Sequence, residues 1–290
     1  MKLENRAPAE GINASHENPL KELAWLLAGG LGAVVLLVFT VSFAAQWIAP
    51  RVPYKYEAKL AASLPPFATT PDNAPGRQVQ AELQSLADRL ALRLDMPSEM
   101  VVRVGYREQD IVNAFATLGG QAVFFRGLLG KIDNEDALAM VMAHELAHLK
   151  YRHASAALGR GVAIGVILSI VSADLGSSAA GNVLTTAGMA TLLSFNRDQE
   201  READEAALRA LHAEYGHVGG AVDLFNVMMR LPGGRQSSGP TVEFLRTHPL
   251  TENRIAAISQ WALKNGAAID GPRRPLPAGI AALNKPEPRR

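Results

Sequence analysis

The chain of 290 residues contains no cysteine, which excludes disulfide bonds and thiolate metal sites. Any metal must therefore be held by His, Asp or Glu side chains. Net charge is also nearly absent, because 29 basic residues face 28 acidic ones. Domains that bind nucleic acid through bulk charge are usually strongly basic, so we expect no nucleic-acid partner. The hydrophobic share of 48% argues against disorder along the whole chain.

No charged residue occurs in residues 23–50, which read LAWLLAGGLGAVVLLVFTVSFAAQWIAP. A helix of this length, at ~1.5 Å per residue, exceeds the ~30 Å hydrocarbon thickness of a bilayer. Trp25 and Trp47 lie near its two ends, where amphipathic rings favour the membrane interface. We therefore predict one transmembrane anchor at 23–50, preceded by a polar segment at 1–22. A buried core helix and a cleaved signal peptide are the alternatives.

The basic residues that flank this anchor do not set its orientation. Positive-inside counting compares the Lys and Arg residues on the two sides of a span. Three precede the anchor and three follow it closely, namely Lys2, Arg6, Lys21, Arg51, Lys55 and Lys59. Charge thus favours neither side of the membrane for the rest of the chain.

The remainder of the chain divides by composition and pattern. Proline-rich residues 51–76 predict an extended linker, and the Pro- and Arg-rich residues 271–290 predict a disordered tail. Between them we expect one folded domain at 77–270, mostly helical α+β with a small β-sheet. Its local patterns predict helices at 79–94 and at 136–153, the second capped by Asp133 or Asn134, and strands at 100–106 and 121–125.

A second apolar stretch covers residues 161–195 and is interrupted only by Asp174. It suits either a membrane hairpin of two small-residue helices or a buried helical pair. Residues on both sides of it are assigned below to one site, so it must cross the membrane twice or not at all. We favour no crossing, because each half is short or weakly hydrophobic for a span.

The predicted helix at 136–153 contains the sequence His144-Glu145-Leu146-Ala147-His148. Two histidines four residues apart lie on one helix face, so both imidazoles can bind one zinc ion. Glu145 is close enough to act as general base toward a metal-bound water. The surrounding residues are apolar on nearly all sides, which is typical of a buried helix. Buried without partners, two imidazoles and a carboxylate would cost several kcal/mol, and a metal ion supplies those partners.

Two histidines leave one protein ligand to be found. A third His six residues after the second is absent, because that position is Ala154, so we expect a carboxylate. If the segment FNRDQEREAD is a helix, Glu200 and Asp204 share one face while Glu202 points away. Glu200 is thus a candidate zinc ligand, and Asp204 a candidate hydrogen-bond partner that orients a ligand imidazole. A solvated helix face is the alternative for such a charged run.

These motifs resemble the membrane-associated zinc metallopeptidases that include HtpX, the CAAX prenyl endopeptidase and the mitochondrial Oma-type proteases. The similar stretches are NAFATLGGQAVFFRGLL at 113–129, HELAHLKYRH at 144–153, NRDQEREAD at 196–204 and THPLTENRI at 247–255. In that family the first Glu of the third stretch binds zinc and its Asp closes the motif. The resemblance therefore implies one zinc per chain, held by His144, His148 and Glu200, and a gluzincin-type fold over about residues 77–260.

The chain departs from HtpX and the CAAX endopeptidases, which are multi-pass, because it has one clear span. It is more similar to single-anchor or periplasmic bacterial members of the family. This likeness implies a single-pass protein of the bacterial inner membrane with its peptidase domain in the periplasm. It also supports the reading of residues 161–195 without a crossing, and it gives no reason to expect a prenylated substrate.

The implied function is hydrolysis of peptide bonds, with misfolded or envelope proteins as the expected substrates. An open edge of the strand at 121–125 would let an extended peptide add to the sheet. His248 and Arg254 are candidates to stabilise the oxyanion, and a structural turn followed by a surface arginine is the alternative. We also consider His248 as a fourth zinc ligand that keeps the enzyme latent.

Two other functions compete with this one. The first is a zinc-stabilised, membrane-associated chaperone or assembly factor with latent proteolysis. The intact Glu145 argues against it, because a scaffold needs the metal ligands but not the base. The second is a multi-pass protease with its site inside the membrane, which the hydropathy of residues 161–195 disfavours.

Overall fold

A computed structural model describes residues 18–48, 51–64, 67–159, 161, 195–231, 243–248 and 252–284. The described part is mostly helical with one small β-sheet, which confirms the predicted α+β class. The apolar stretch at 161–195 lies outside the described residues except at its two ends. Its membrane topology therefore stays a prediction.

The first apolar run forms helix α1, Pro19–Ile48, which begins four residues before the predicted start at residue 23. Its large apolar side chains are exposed. The part Pro19–Val41 is long and apolar enough to cross a membrane, judged by length and composition. Such a helix needs an apolar environment around it, and a bilayer would supply one.

A three-stranded sheet in the order β1-β3-β2 forms one wall of the domain. Strand β1 is Arg103–Arg107, β2 is Ala114–Thr117 and β3 is Gln121–Phe125. Strand β1 runs parallel to β3, and β2 runs antiparallel to it. The predicted open edge at 121–125 was wrong, because β3 is the central strand and is paired on both sides.

The outer edge of β1 is closed by side chains of helix α3, Ala74–Arg93. Val104 N donates a hydrogen bond to Gln84 Oε1 (2.8 Å), and Tyr106 N donates to Gln80 Oε1 (3.2 Å). Glutamine side chains thus take the place of a further strand there. The sheet's other edge strand is β2.

Helix α5, Glu135–Lys150, is the centre of the domain, and each of its residues before Lys150 is buried. Around it pack α3, β2, α6 (Arg197–Tyr215) and α7 (Gly219–Arg230). The remaining labelled helices are α2 (Tyr54–Ala62), α4 (Arg126–Leu129), α8 (Glu243–Thr247), α9 (Glu252–Asn265) and α10 (Ala278–Ala282).

The predicted extended linker at 51–76 is partly helical. Helix α2 lies within it, and Tyr54 and Glu57 of this helix are buried. Pro53 stands at the N-cap, where proline suits a helix start, and the other prolines lie outside α2. The prediction was wrong because the prolines bracket this helix instead of interrupting it.

The predicted disordered tail at 271–290 is also wrong for its first part. Glu135 N donates to Arg274 O (2.9 Å), and Arg274 N donates to Asp136 Oδ2 (2.8 Å). Ile280 is fully buried. Residues 271–284 therefore belong to the folded domain, while residues 285–290 lie outside the described part.

Candidate active site

The two histidines of the motif are positioned by α5. Asn134 is its N-cap and accepts a hydrogen bond from Ala137 N (2.8 Å). The helix ends at Lys150, three residues before the predicted end at residue 153. Arg152 just beyond has φ 60°, a left-handed conformation that stops an α-helix. Residues 153–159 are helical again after this turn.

The carboxylates come from the first turns of α6. Asn196 and Gln199 form a capping box, in which each side chain accepts a hydrogen bond from the other residue's backbone N–H. This start places Glu200 and Asp204, four residues apart, on the buried face that packs on α5. The side chain of Glu202 is 50% exposed. Glu200 and Asp204 therefore share one helix face, as the spacing predicted, and this face lies against the motif histidines.

Four buried side chains converge on one point, and their ligand atoms lie within 4.8 Å of one another: His144, His148, Glu200 and His248. His148 Nε2 is 3.0 Å from His144 Nε2 and 3.4 Å from Glu200 Oε1. His248 Nδ1 is 3.0 Å from the same Glu200 oxygen. Tetrahedral zinc with N and O ligands at ~2.0–2.1 Å requires ligand atoms ~3.3 Å apart. The separations and the donor types both fit zinc.

Glu145 lies beside this cluster and is fully buried. Neither carboxylate oxygen accepts a hydrogen bond from any residue that the structure describes. His248 approaches it, with Nε2 3.4 Å from Glu145 Oε1. Burial of a carboxylate without hydrogen bonds is costly, and such groups in folded proteins call for a functional explanation. Glu145 can therefore use its full acceptor capacity on a molecule bound at the cluster.

Residues 77–262 match the family model described as peptidase family M48. The chain belongs to peptidase family M48. This membership confirms the resemblance predicted from the four sequence stretches.

Curated members of this family are similar to half or more of the chain. The mitochondrial metalloendopeptidase OMA1 of Schizosaccharomyces pombe is 34% identical over 151 residues, 51% of this chain and 43% of that protein. The beta-barrel assembly-enhancing protease of Escherichia coli is 35% identical over 159 residues, 51% of this chain and 31% of that protein. OMA1 of Saccharomyces cerevisiae is 28% identical over 210 residues, 65% of this chain and 60% of that protein. The chain thus spans less than two thirds of each.

In this M48 domain, His144 turns one ring nitrogen to the cluster and the other to a carboxylate. Its Nδ1 lies 3.0 Å from Asp204 Oδ1. Arg254 holds that carboxylate with two hydrogen bonds, from Nε to Oδ2 (2.7 Å) and from Nη2 to Oδ1 (2.8 Å). Arg254 Nη1 also lies 2.8 Å from Glu200 Oε2. The arginine therefore binds the carboxylates of Glu200 and Asp204 and fixes them relative to His144.

The other motif histidine has a partner that the site prediction missed. His148 Nδ1 lies 2.8 Å from Nδ1 of the buried His153, and His153 Nε2 lies 3.2 Å from Glu202 Oε2. If His148 presents Nε2 to a metal, its Nδ1–H donates to His153, which in turn donates to Glu202. The trailing Arg152-His153 pair of the family stretch was the only signal for this contact. The turn at Arg152, which the helical pattern did not predict, brings His153 back toward His148.

Burial and neighbouring charges shift the pKa values of the cluster side chains in different directions. Burial lowers the pKa of His148 well below its usual value, which keeps the imidazole neutral. Burial raises the pKa of Glu200, but the charges of His248 and His144 outweigh it, so the net shift is well downward. Asp204 behaves similarly, because Arg254 and His144 outweigh its burial and lower its pKa. At His248 burial lowers the pKa, but the charges of Glu200 and Glu145 outweigh it, so the net shift is upward. The shifts thus favour a neutral His148 and ionised Glu200 and Asp204.

The side chains of two phenylalanines, Phe195 and Phe115, lie between the cluster and strand β2. The Phe195 ring stacks on the His148 imidazole, with centroids 3.9 Å apart and planes inclined by 18°. Phe195 also packs with Ala154 and Ala157, and Phe115 of β2 lies against the same group. The edge strand therefore runs beside the side chains of this cluster.

The hydrogen-bond register shows which groups of β2 face outward. Phe125 N donates to Asn113 O (3.2 Å) at the start of the antiparallel ladder. Bonded and non-bonded pairs alternate in such a ladder, so the backbone groups of Ala114 and Ala116 point away from β3. Both residues are 0% exposed, so another strand can pair with these peptide groups only after the edge is uncovered.

Proposed function

We propose that the chain is a membrane-anchored zinc metalloendopeptidase that hydrolyses peptide bonds of protein substrates. The observation that supports this most strongly is Glu145, a buried carboxylate without a hydrogen bond among the described residues, beside a cluster that fits zinc. A purely structural zinc site has no use for such a group. The residues matched to family M48 include all of these side chains.

The chain's own residues divide the chemistry among them. A zinc ion held by His144, His148 and Glu200 would supply Lewis acidity, which polarises a carbonyl and lowers the pKa of water. Glu145 accepts a proton from the attacking water while the water oxygen forms a bond to the peptide carbonyl carbon. Glu145 then delivers that proton to the amine nitrogen as the C–N bond breaks. Asp204, through Nδ1 of His144, keeps the Nε2 lone pair directed at the metal.

Strand β2 is the proposed docking edge for the substrate. Ala114 and Ala116 are buried in this structure, so the edge must first be uncovered. An extended peptide that then pairs with them would run beside Phe195 and the histidine cluster. Main-chain pairing binds many sequences, which suits an enzyme that acts on unfolded segments. We therefore propose misfolded or envelope proteins as the substrate class.

His248 occupies a position that suits a latent enzyme. Its Nδ1 lies 3.1 Å from His144 Nε2 and 3.0 Å from Glu200 Oε1, the distances of a fourth ligand. The helix that leads to it, α8, is fixed to the start of the edge strand, where Phe244 N donates to Val112 O (3.1 Å). We propose that this segment closes the site until a substrate displaces it. A His248→Ala variant should then cleave an unfolded protein faster, and unchanged or lower activity would exclude latency through this residue.

The first experiment is cleavage of casein by the zinc-loaded full chain and by Glu145→Gln. We expect cleavage by the wild type alone. Glu205→Gln is a matched control, because it removes an exposed carboxylate on the helix that carries Glu200. If neither protein cleaves casein but both slow the aggregation of an unfolded protein, the chaperone function replaces the enzyme.

The ligand assignment is tested separately by metal content. Glu200→Gln should lose zinc, whereas Glu145→Gln should retain it, because only the first carboxylate belongs to the ligand cluster. Zinc is measured by atomic absorption after gel filtration. Equal zinc in wild type and Glu200→Gln would remove Glu200 from the site.

We propose that the peptidase domain lies in the periplasm of a bacterium, with α1 in the inner membrane. The likeness to single-anchor and periplasmic family members supports this, and a chain without cysteine is compatible with an oxidising compartment. Protease added to intact spheroplasts should digest the domain. Protection until the membrane is broken would reverse the orientation.

A further inference from the structure

Helix α2, which follows the anchor, has two distinct faces. Tyr54 and Glu57 are buried against the domain. The opposite face consists of four exposed residues at helical spacing: Lys55, Tyr56, Lys59 and Leu60. Tyr56 is 56% exposed and Leu60 45% exposed, so this face presents aromatic and aliphatic surface beside two cations.

The inner face fixes α2 to the peptidase domain through one buried carboxylate. Gly119 N donates to Glu57 Oε1 (2.9 Å), and the Arg152 guanidinium binds Oε2 from Nε (2.9 Å) and Nη2 (2.8 Å). The Ser155 hydroxyl also donates to Oε2. Because these contacts are buried or partly buried and charge-assisted, α2 is a rigid part of the domain.

The partners of Glu57 lie at two places that border the active site. Gly119 is in the turn between β2, the proposed docking edge, and β3. Arg152 and Ser155 follow α5, which carries the zinc-binding motif. Because α2 is fixed to these two places, the orientation of α2 relative to a membrane determines the orientation of the active site.

Chain length keeps the outer face near the anchor. From Ile48 to Tyr54 is six residue steps, at most about 20 Å of extended chain. Arg51 lies over the Trp47 ring at 3.9 Å from its centroid, within the same junction. If α1 spans the bilayer, as the proposed function requires, the start of α2 is therefore held close to the headgroup layer.

We propose that the Lys55–Tyr56–Lys59–Leu60 face of α2 binds a lipid surface with anionic headgroups and sets the orientation of the active site relative to the membrane. The lysines pair with the headgroup charge, with their alkyl stems along the surface. Tyr56 suits the interface, and Leu60 enters the acyl boundary. Membrane contact thereby presents edge strand β2 at one constant angle to the lipid surface.

The absence of cysteine makes this directly measurable, because a single introduced thiol labels one position. The full chain carrying Leu60→Cys is labelled with an environment-sensitive fluorophore and reconstituted in phosphatidylcholine vesicles containing phosphatidylglycerol. Lipids brominated on the acyl chain quench a label that enters the bilayer. Leu92→Cys and Leu263→Cys, at positions 79% and 80% exposed elsewhere on the domain, are the matched controls. Leu36→Cys, in α1, reports the anchor.

We expect strong quenching at position 36. At position 60 the quenching should be at least about twofold greater than at positions 92 and 263, because α2 enters the interface and those two positions do not. Quenching at 36 with no excess at 60 would overturn the surface contact while leaving the anchor intact. No quenching at 36 would remove the anchor, and the proposal with it. The two failures are therefore distinguishable.

A charge test identifies the lipid partner. The pair Lys55→Glu and Lys59→Glu, added to Leu60→Cys, should lower the quenching at position 60 by about half or more, since each lysine contributes to binding anionic headgroups. Omission of phosphatidylglycerol should lower the quenching at position 60 to the same extent when both lysines are present. Lys264→Glu, an exposed lysine on α9, should change nothing. If quenching at position 60 changes neither with the charge reversal nor with the omission of phosphatidylglycerol, the proposed contact with anionic headgroups is wrong.

Discussion

Two buried glutamates in this molecule have opposite surroundings. Glu57 accepts hydrogen bonds from a backbone N–H, a guanidinium and a hydroxyl. Glu145, which is more deeply buried, accepts none from the residues that the structure describes. A satisfied buried carboxylate holds elements together, whereas an unsatisfied one is kept at a cost to stability. The contrast separates the region that orients the site from the region that carries the chemistry.

Replacing the unsatisfied carboxylate tests the chemical side of this comparison. Glu145→Gln should lower turnover by roughly 10²–10⁴-fold, the usual contribution of a general base. Its melting temperature should stay equal or rise, because a neutral amide costs less to bury than an unpaired charge. Circular dichroism during thermal unfolding and casein cleavage give the two values. A melting temperature well below that of the wild type would assign Glu145 a structural role.

Replacing the satisfied carboxylate should have the reverse effect. Glu57→Gln leaves the Arg152 guanidinium buried without its counter-ion, and breaking a buried ion pair costs ~3–5 kcal/mol. For a domain of this size, that loss lowers the melting temperature by roughly 10 °C. Casein cleavage below the transition should remain close to the wild-type rate. Glu205→Gln, which changes an exposed carboxylate, should change neither the melting temperature nor the cleavage rate. If Glu57→Gln is as stable as the wild type, Glu57 does not hold α2 on the domain.

The sequence predicted the chemical region better than the orienting one. His144, Glu145 and His148 lie within one turn of a single helix, so their spacing alone defines their geometry. Glu200 and Asp204 share a face for the same reason, and only their pairing with α5 needed the family resemblance. Local periodicity therefore predicted which residues share a helix face, whereas the contact between α5 and α6 lies outside what such a pattern contains.

The orienting region depends on contacts distant in sequence, which no local pattern contains. Glu57 meets Arg152 across ninety-five positions of the chain. Arg152 has the left-handed conformation that ends α5, and an arginine gives no sign of this. The C-terminal residues near Ile280 were predicted to be disordered from their proline content, yet Ile280 is fully buried and α10 packs on α3. Tertiary packing decided each of these outcomes.

Both motif histidines have an Nδ1 partner, but the carboxylates that these contacts lead to differ in exposure. His153→Ala would leave His148 without its Nδ1 partner, and loss of such a partner typically weakens metal binding by 10–100-fold. Competition with a chromophoric zinc chelator measures this affinity without reference to turnover. His212→Ala, a partly exposed position on α6, is the control. Unchanged zinc affinity would mean that His153 only fills space.

The smallest loss of zinc affinity is expected at Glu202, which ends the series of contacts from His148 through His153. Glu202 accepts from His153 but is 50% exposed, so water can replace it in Glu202→Gln. We expect the zinc affinity to fall less than about threefold, as for other solvent-screened pairs. Asp204→Asn, on the enclosed path through His144, should cost more, because Asp204 is buried and also bound by Arg254. Chelator competition ranks the two variants, and an equal loss in both would show that burial does not distinguish the two histidines.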